Sequence, residues 1–259
     1  MPKLAANLSL LFADQPFLER FAAARKAGFR YVEYQFPYAA GSAADVAAAA
    51  RAAGVEVVLH NIPAGDAAKG DRGLAALPSR RAEFREGVER AIEYARAAGC
   101  PRMNCLAGVP PSDVPRAKAM DELVENIVFA AGRLASAGMD LMVEPINPRS
   151  VPGFLLNSSA DALAAIDASG APNAWLQYDF FHMQIVEGDL AKTVERLLPR
   201  IGHMQLADVP GRHEPGTGEI NFAWLLPEID RLGYAGWIGC EYNPLEGTLE
   251  GLGWAKPWL

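Results

Sequence analysis

Four oxygen-bearing side chains in the second half of the chain each stand directly after a short apolar run. They are Glu144 after Leu141-Met142-Val143, Asp179 after Trp175-Leu176-Gln177-Tyr178, Gln205 after Ile201-Gly202-His203-Met204, and Glu241 after Trp237-Ile238-Gly239-Cys240. Three carboxylates and one amide oxygen make a donor set suited to a hard divalent cation such as Mg2+ or Mn2+. A carboxylate at the end of a buried strand is costly unless a cation or an ion pair compensates it. Each residue also has a plainer reading: a structural ion pair for Glu144 or Glu241, a helix cap for Asp179, a hydrogen-bonded core amide for Gln205. Recurrence of the pattern at four strand ends favours one shared site.

Other groups stand near those ends. His182 follows Asp179 by three residues, so a turn there would bring its ring toward the same ion or substrate. His203 shares the facing of Gln205 and reads as a residue lining the core. Arg212 lies in the long Gly- and Pro-rich segment 208–219, which is long enough to cover a mouth; its guanidinium suits a substrate carboxylate. His60, in His60-Asn61-Ile62-Pro63-Ala64-Gly65-Asp66, offers a second strand-end histidine for substrate, with Lys69 and Arg72 following.

Apolar runs alternate with helical stretches throughout. Strands are expected at Leu4–Leu10, Tyr31–Phe36, Val55–His60 and Arg102–Leu106, ahead of the four already named. Helices are expected at Pro16–Ala27, Ala43–Ala53, Ser79–Ala98, Met120–Ser136, Ser159–Ala168, Leu190–Leu198 and Asn221–Leu232. Gly28, Gly54, Gly99, Gly138 and Gly233 stand just past helix ends, where a left-handed residue closes the turn. Eight strands joined by helical crossovers predict an α/β fold, a parallel (β/α)8 TIM barrel spanning residues 1–259 as one domain. A doubly wound open sheet is the rival, but Asn7-Leu8-Ser9-Leu10-Leu11 is not the glycine turn its nucleotide site needs. In a barrel the strand C-termini ring one face, and four separated residues become one site. The tail 251–259, with Trp254 and Trp258, is expected to pack over the barrel; a homo-oligomer contact is the alternative.

Bulk properties narrow the partners. With 259 residues, 51% hydrophobic and 21% charged, the chain reads as globular. Its net charge of -7 and lack of a Lys/Arg block oppose a nucleic-acid partner. No apolar run is long enough to span a membrane. Cys100, Cys105 and Cys240 follow neither a disulfide framework nor a CxxC metal pattern, and the N-terminal residues read as a strand instead of a secretion signal, so a cytoplasmic location is expected.

Several stretches are similar to the hydroxypyruvate isomerase family, within the xylose-isomerase-like barrels: Ala6-Asn7-Leu8-Ser9, His60-Asn61-Ile62-Pro63-Ala64-Gly65-Asp66, Val143-Glu144-Pro145-Ile146-Asn147, Gln177-Tyr178-Asp179, His182-Met183-Gln184, Arg212-His213-Glu214-Pro215-Gly216-Thr217-Gly218-Glu219, and Gly236-Trp237-Ile238-Gly239-Cys240-Glu241-Tyr242. The resemblance implies a divalent metal held by Glu144, Asp179, Gln205 and Glu241, with Glu144 and Glu241 as the catalytic pair. It also implies a small 2-oxo acid substrate, hydroxypyruvate being interconverted with 2-hydroxy-3-oxopropanoate. The related 2-oxo-tetronate isomerases, acting on four-carbon 2-oxo acids, remain the alternative. Keto-sugar epimerases typically carry histidine where Gln205 stands, which turns the resemblance away from them.

Overall fold

The computed structural model describes residues 3–259. Its eight strands are β1 (Lys3–Asn7), β2 (Tyr31–Tyr34), β3 (Glu56–Asn61), β4 (Arg102–Cys105), β5 (Asp140–Val143), β6 (Ala174–Asp179), β7 (Ile201–Leu206) and β8 (Trp237–Cys240). Each pairs in parallel with the next, and β8 closes on β1 through Leu4 opposite Ile238 and Ala5 opposite Gly239. The expected barrel is therefore the observed one.

The outer helices are α1 (Arg20–Lys26), α2 (Ala43–Ala53), α3 (Arg81–Ala98), α4 (Arg116–Ala135), α5 (Ser159–Ser169), α6 (Phe180–Val186), α7 (Leu190–Leu197) and α8 (Phe222–Arg231). Local chemistry sets their ends. Ser42 and Asp45 form a reciprocal capping box on α2, and Gly54 closes that helix at φ 66°. The other four punctuating glycines also adopt positive φ.

Several boundaries depart from the sequence reading, and three have a clear local cause. β1 stops at Asn7, because the Asn7 side chain accepts from the Ser9 amide and its carbonyl accepts from Leu10 and Leu11, turning the chain before Leu10. α4 begins at Arg116, where the polar first turn Arg116-Ala117-Lys118-Ala119 hides the apolar period. α6, expected only as a turn, is a helix capped by Asp179 itself, whose Oδ1 accepts from the Phe181 amide at 2.8 Å.

The core divides by polarity. Between barrel and helices lies a large apolar layer that includes Phe21, Phe29, Tyr34, Phe84, Phe154 and Phe180. A smaller cluster of Ala5, Val58, Leu59 and Met142 packs with Tyr31, Trp175 and Trp237 near the strand N-termini. Toward the C-terminal ends the buried residues turn polar: Asn7, Glu33, Asn104, Gln177, His203 and Gln205 are all at most 2% exposed. Gly239 makes room for this layer, since a Cβ there would stand 2.2 Å from both Glu33 carboxylate oxygens.

The tail forms 3-10 turns over Glu250–Trp258, with Leu252 and Ala255 buried and Trp254 near Tyr242. All three cysteines are free and buried. Among the described residues, no helix is long and apolar enough to cross a membrane.

Candidate active site

Neighbouring strands deliver the four predicted donors to the C-terminal mouth. Glu144 follows β5, Asp179 ends β6, Gln205 lies in β7 opposite Asp179, and Glu241 follows β8. All are nearly inaccessible, at 1–5% exposure. A different device holds each one. Asn104 Nδ2 donates to Glu144 Oε2 at 2.6 Å, and Gln35 Nε2 donates to Glu241 Oε1 at 2.5 Å. Gln205 Nε2 donates to Glu33 Oε1 at 2.8 Å, while Gln205 Oε1 accepts from Gln177 Nε2 at 2.6 Å. That leaves the Gln205 oxygen one free lone pair.

Two cationic or ring groups join them. His182, in the first turn of α6, sets Nε2 3.5 Å from Asp179 Oδ2 and 3.9 Å from Glu144 Oε1. Arg212 sets Nη2 3.3 Å from Glu241 Oε2 and 3.6 Å from Asp179 Oδ2, with its guanidinium over the Phe181 ring. The loop that carries Arg212 is built around buried Asp208, whose carboxylate accepts from the backbone amides of Val209, Gly216, Gly218 and Ile220. Arg212 itself takes a left-handed φ of 57°, a conformation that costs a non-glycine residue free energy and here aims the side chain into the mouth.

His60 does not join them. Strand alternation turns it from the barrel interior into the helix layer, where its ring stacks on Tyr34 and its Nδ1 meets the Tyr38 hydroxyl at 3.3 Å. It is fully buried, and burial holds its pKa down to about 4. The substrate-binding role expected for His60 therefore has no support in its position. Lys69 and Arg72 also stay outside, bonded to Asp66 and to nearby backbone carbonyls. His203 is a core residue as expected, its Nε2 2.7 Å from Glu33 Oε2.

The electrostatics suit a cation. Burial, then the neighbouring charges of Glu241 and Asp179, pushes Glu144 well above the usual carboxylate range. Burial likewise raises Asp179 to about 6 and Glu241 to about 7, with Arg212 pulling both down. His182 is held well below its ordinary value by burial and by Arg212. Asp179 Oδ2 is buried with no hydrogen-bond partner, although an orphaned buried acceptor is expensive. A carboxylate oxygen of Glu144 and one of Asp179 lie within 4.8 Å of each other, with a ring nitrogen of His182 at the same spacing, so the two carboxylates can share one ion. The donor chemistry, the orphan oxygen and the cluster of buried carboxyls all fit a divalent metal.

The sequence did not single out Glu33, Gln35, Asn104, Asn147 or Gln177. Their shared signal is a polar residue inside, or just beyond, an otherwise apolar strand, which a buried position makes informative.

Fold and mouth together define a (β/α)8 barrel with a carboxylate-rich site on its C-terminal face. The profile of the xylose isomerase-like TIM barrel family matches residues 21–258, and the chain belongs to that family. It is 48% identical over 259 residues to a 2-oxo-tetronate isomerase of Cupriavidus necator, covering 100% of this chain and 99% of that protein. It is 45% identical over 258 residues to the hydroxypyruvate isomerase of Escherichia coli, covering 100% of both. Among solved structures it is similar to one from Brucella melitensis named AP endonuclease, family 2, with a TM-score of 0.96, 40% identity, and coverage of 100% of this chain and 99% of that one.

Proposed function

We propose that this isomerase shifts a carbonyl between adjacent carbons of a short 2-oxo acid, converting hydroxypyruvate and 2-hydroxy-3-oxopropanoate into one another through an enediol. The observation that carries the reading is the pair Glu144 and Glu241: two carboxyls buried at one mouth and both pushed above the usual carboxylate range by burial, with Arg212 Nη2 3.3 Å from Glu241 Oε2. A carboxyl held above the usual carboxylate range by burial is suited to take and return a proton.

A divalent ion held by Glu144, Asp179, Gln205 and Glu241 would supply Lewis-acid polarisation of the substrate carbonyl. The chain's own groups do the rest. Arg212 anchors the substrate carboxylate, its present bonds to Asp179 and Glu241 being long enough to exchange. One glutamate takes the proton from C3, the C3 hydroxyl proton passes to the C2 oxygen, and the other glutamate delivers a proton to C2; the reverse reaction exchanges the roles. Gln35 and Asn104 hold the two glutamates at fixed orientations throughout.

Identities of 48% and 45% to the two named isomerases do not separate a four-carbon from a three-carbon substrate. A panel of three- and four-carbon 2-oxo acids and keto sugars, run with Mn2+ in deuterated water, tests the reading. Isomerisation with solvent deuterium entering the product is expected, whereas turnover of no 2-oxo acid would overturn it. The nuclease name of the Brucella relative makes a rival, which cleavage of abasic DNA in a nicking assay would support and its absence would exclude; the net charge of -7 argues against that substrate.

A further inference from the structure

Asn147 lies fully buried three residues past Glu144, and none of the roles above uses it. Its orientation is determined. Asn147 Oδ1 accepts from the Ser150 amide at 2.8 Å, so the atom facing His182 Nδ1, 2.6 Å away, is the donor Nδ2. The Asn147 backbone N–H points at the same ring nitrogen from 3.4 Å. Two donors converging on Nδ1 require a lone pair there, which puts the ring proton of the neutral imidazole on Nε2. Nε2 faces the mouth, near Asp179 Oδ2 and Glu144 Oε1 but beyond hydrogen-bond reach of either. A substrate oxygen between these groups would meet an N–H, while a metal would find no lone pair on this nitrogen.

We propose that Asn147 is a positioning residue that locks His182 in the Nε2–H tautomer, making the ring a neutral hydrogen-bond donor to the substrate oxygen that gains negative charge, and not a metal ligand. An aspartate behind the ring would do the opposite, accepting from Nδ1–H and freeing the Nε2 lone pair for a metal. The catalytic half of this inference rests on the isomerase reading; the tautomer half does not.

Asn147→Asp tests both halves with little change of shape, because its Oδ1 can still accept from Ser150. Nitrogen-15 NMR of the histidine-labelled full chain, with the His182 signals assigned by their loss in His182→Gln, reads the tautomer directly. The wild-type chain should show Nδ1 unprotonated and Nε2 protonated, and Asn147→Asp should invert the pair. Wild-type Nδ1 carrying the proton, or an unchanged pattern in Asn147→Asp, overturns the proposal. Kinetically, Asn147→Asp should lower kcat by about a hundredfold or more with KM nearly unchanged, as for loss of one donor to a developing charge. In a His182→Gln background the same substitution should add little, since it acts through the ring. Full kcat in Asn147→Asp, or equal losses in both backgrounds, also refutes the catalytic role. A wild-type chain that isomerises no 2-oxo acid would defeat the functional reading and leave the NMR outcomes to decide the tautomer.

Discussion

Removing divalent ions should make this chain less stable as pH rises, and the carboxylate ring sets the size of the effect. Folding raises Asp179 from 3.8 to about 6 and Glu241 from 4.5 to about 7, chiefly by burial, and raises Glu144 as well. A carboxyl raised on folding binds its proton more tightly in the folded state. Its stabilising contribution is complete below the unfolded value and is lost as pH climbs through the folded one, here between about 4 and 7. Each pH unit is worth about 1.4 kcal/mol, so Asp179 or Glu241 alone would account for roughly 3 kcal/mol. Because their charges interact, the combined loss is on the order of 3–5 kcal/mol, less than the separate values would add to. At roughly 2–4 °C per kcal/mol for a chain of this size, metal-free Tm should fall by about 10 °C between about pH 5 and pH 8. Saturating Mn2+ favours the ionised carboxylates and should abolish or reverse that slope. Scanning calorimetry with chelator and with MnCl2 across this range is the assay, and an Asp179→Asn, Glu241→Gln double variant should flatten the metal-free curve. A metal-free Tm that is level or rises with pH, or an Mn2+ increment equal at both ends, would refute the reasoning.

Other outcomes follow from the same geometry. Glu144→Gln and Glu241→Gln should each cut kcat by roughly a thousandfold, within the range of a lost general base, while Mn2+ binding stays measurable by titration calorimetry; wild-type turnover in both would end the two-glutamate mechanism. Arg212→Lys keeps the charge but loses the two-pronged carboxylate contact, so KM should rise about tenfold or more with a smaller change in kcat. Asp208→Asn turns an N–H donor toward the Gly216 and Gly218 amides that now donate to its carboxylate, costing about 2–4 kcal/mol and loosening the loop that aims Arg212; calorimetry and KM together check it.

What the sequence made legible followed from alternation and punctuation. Short apolar runs alternating with helices closed by Gly54 or Gly99 gave the barrel, and the barrel put Glu144, Asp179, Gln205 and Glu241 at one mouth. His60 misled because a strand-end position does not state which face a side chain takes; alternation places Asn61 on the inner side and His60 against Tyr34. α6 was hidden because its start depends on one capping bond from Asp179, with a helix too short to display its own period. Glu33 could not be weighed from its strand alone, since its partners Asn7, His203 and Gln205 come from β1 and β7, far away in sequence.

The supports behind the ring share a chemical choice that bears on the metal. Glu144, Gln205 and Glu241 each receive an N–H from a neutral amide, Asn104, Gln177 or Gln35, and Asp179 receives one from its own helix backbone. An arginine or lysine in any of those places would also fix the carboxylate but would cancel its charge. Neutral donors fix geometry without compensating charge, and among the described residues Arg212 is the one arginine or lysine ion-paired with the ring. Glu33, held by Asn7 and His203, does the corresponding service for Gln205 by claiming its nitrogen, which leaves its oxygen as the end that Gln177 holds. Such an arrangement is unfavourable for a site meant to stand empty, since it keeps three carboxyls raised and one oxygen orphaned. It becomes favourable once a divalent cation enters, because the ion compensates the buried charges that otherwise hold Glu144, Asp179 and Glu241 above the usual carboxylate range.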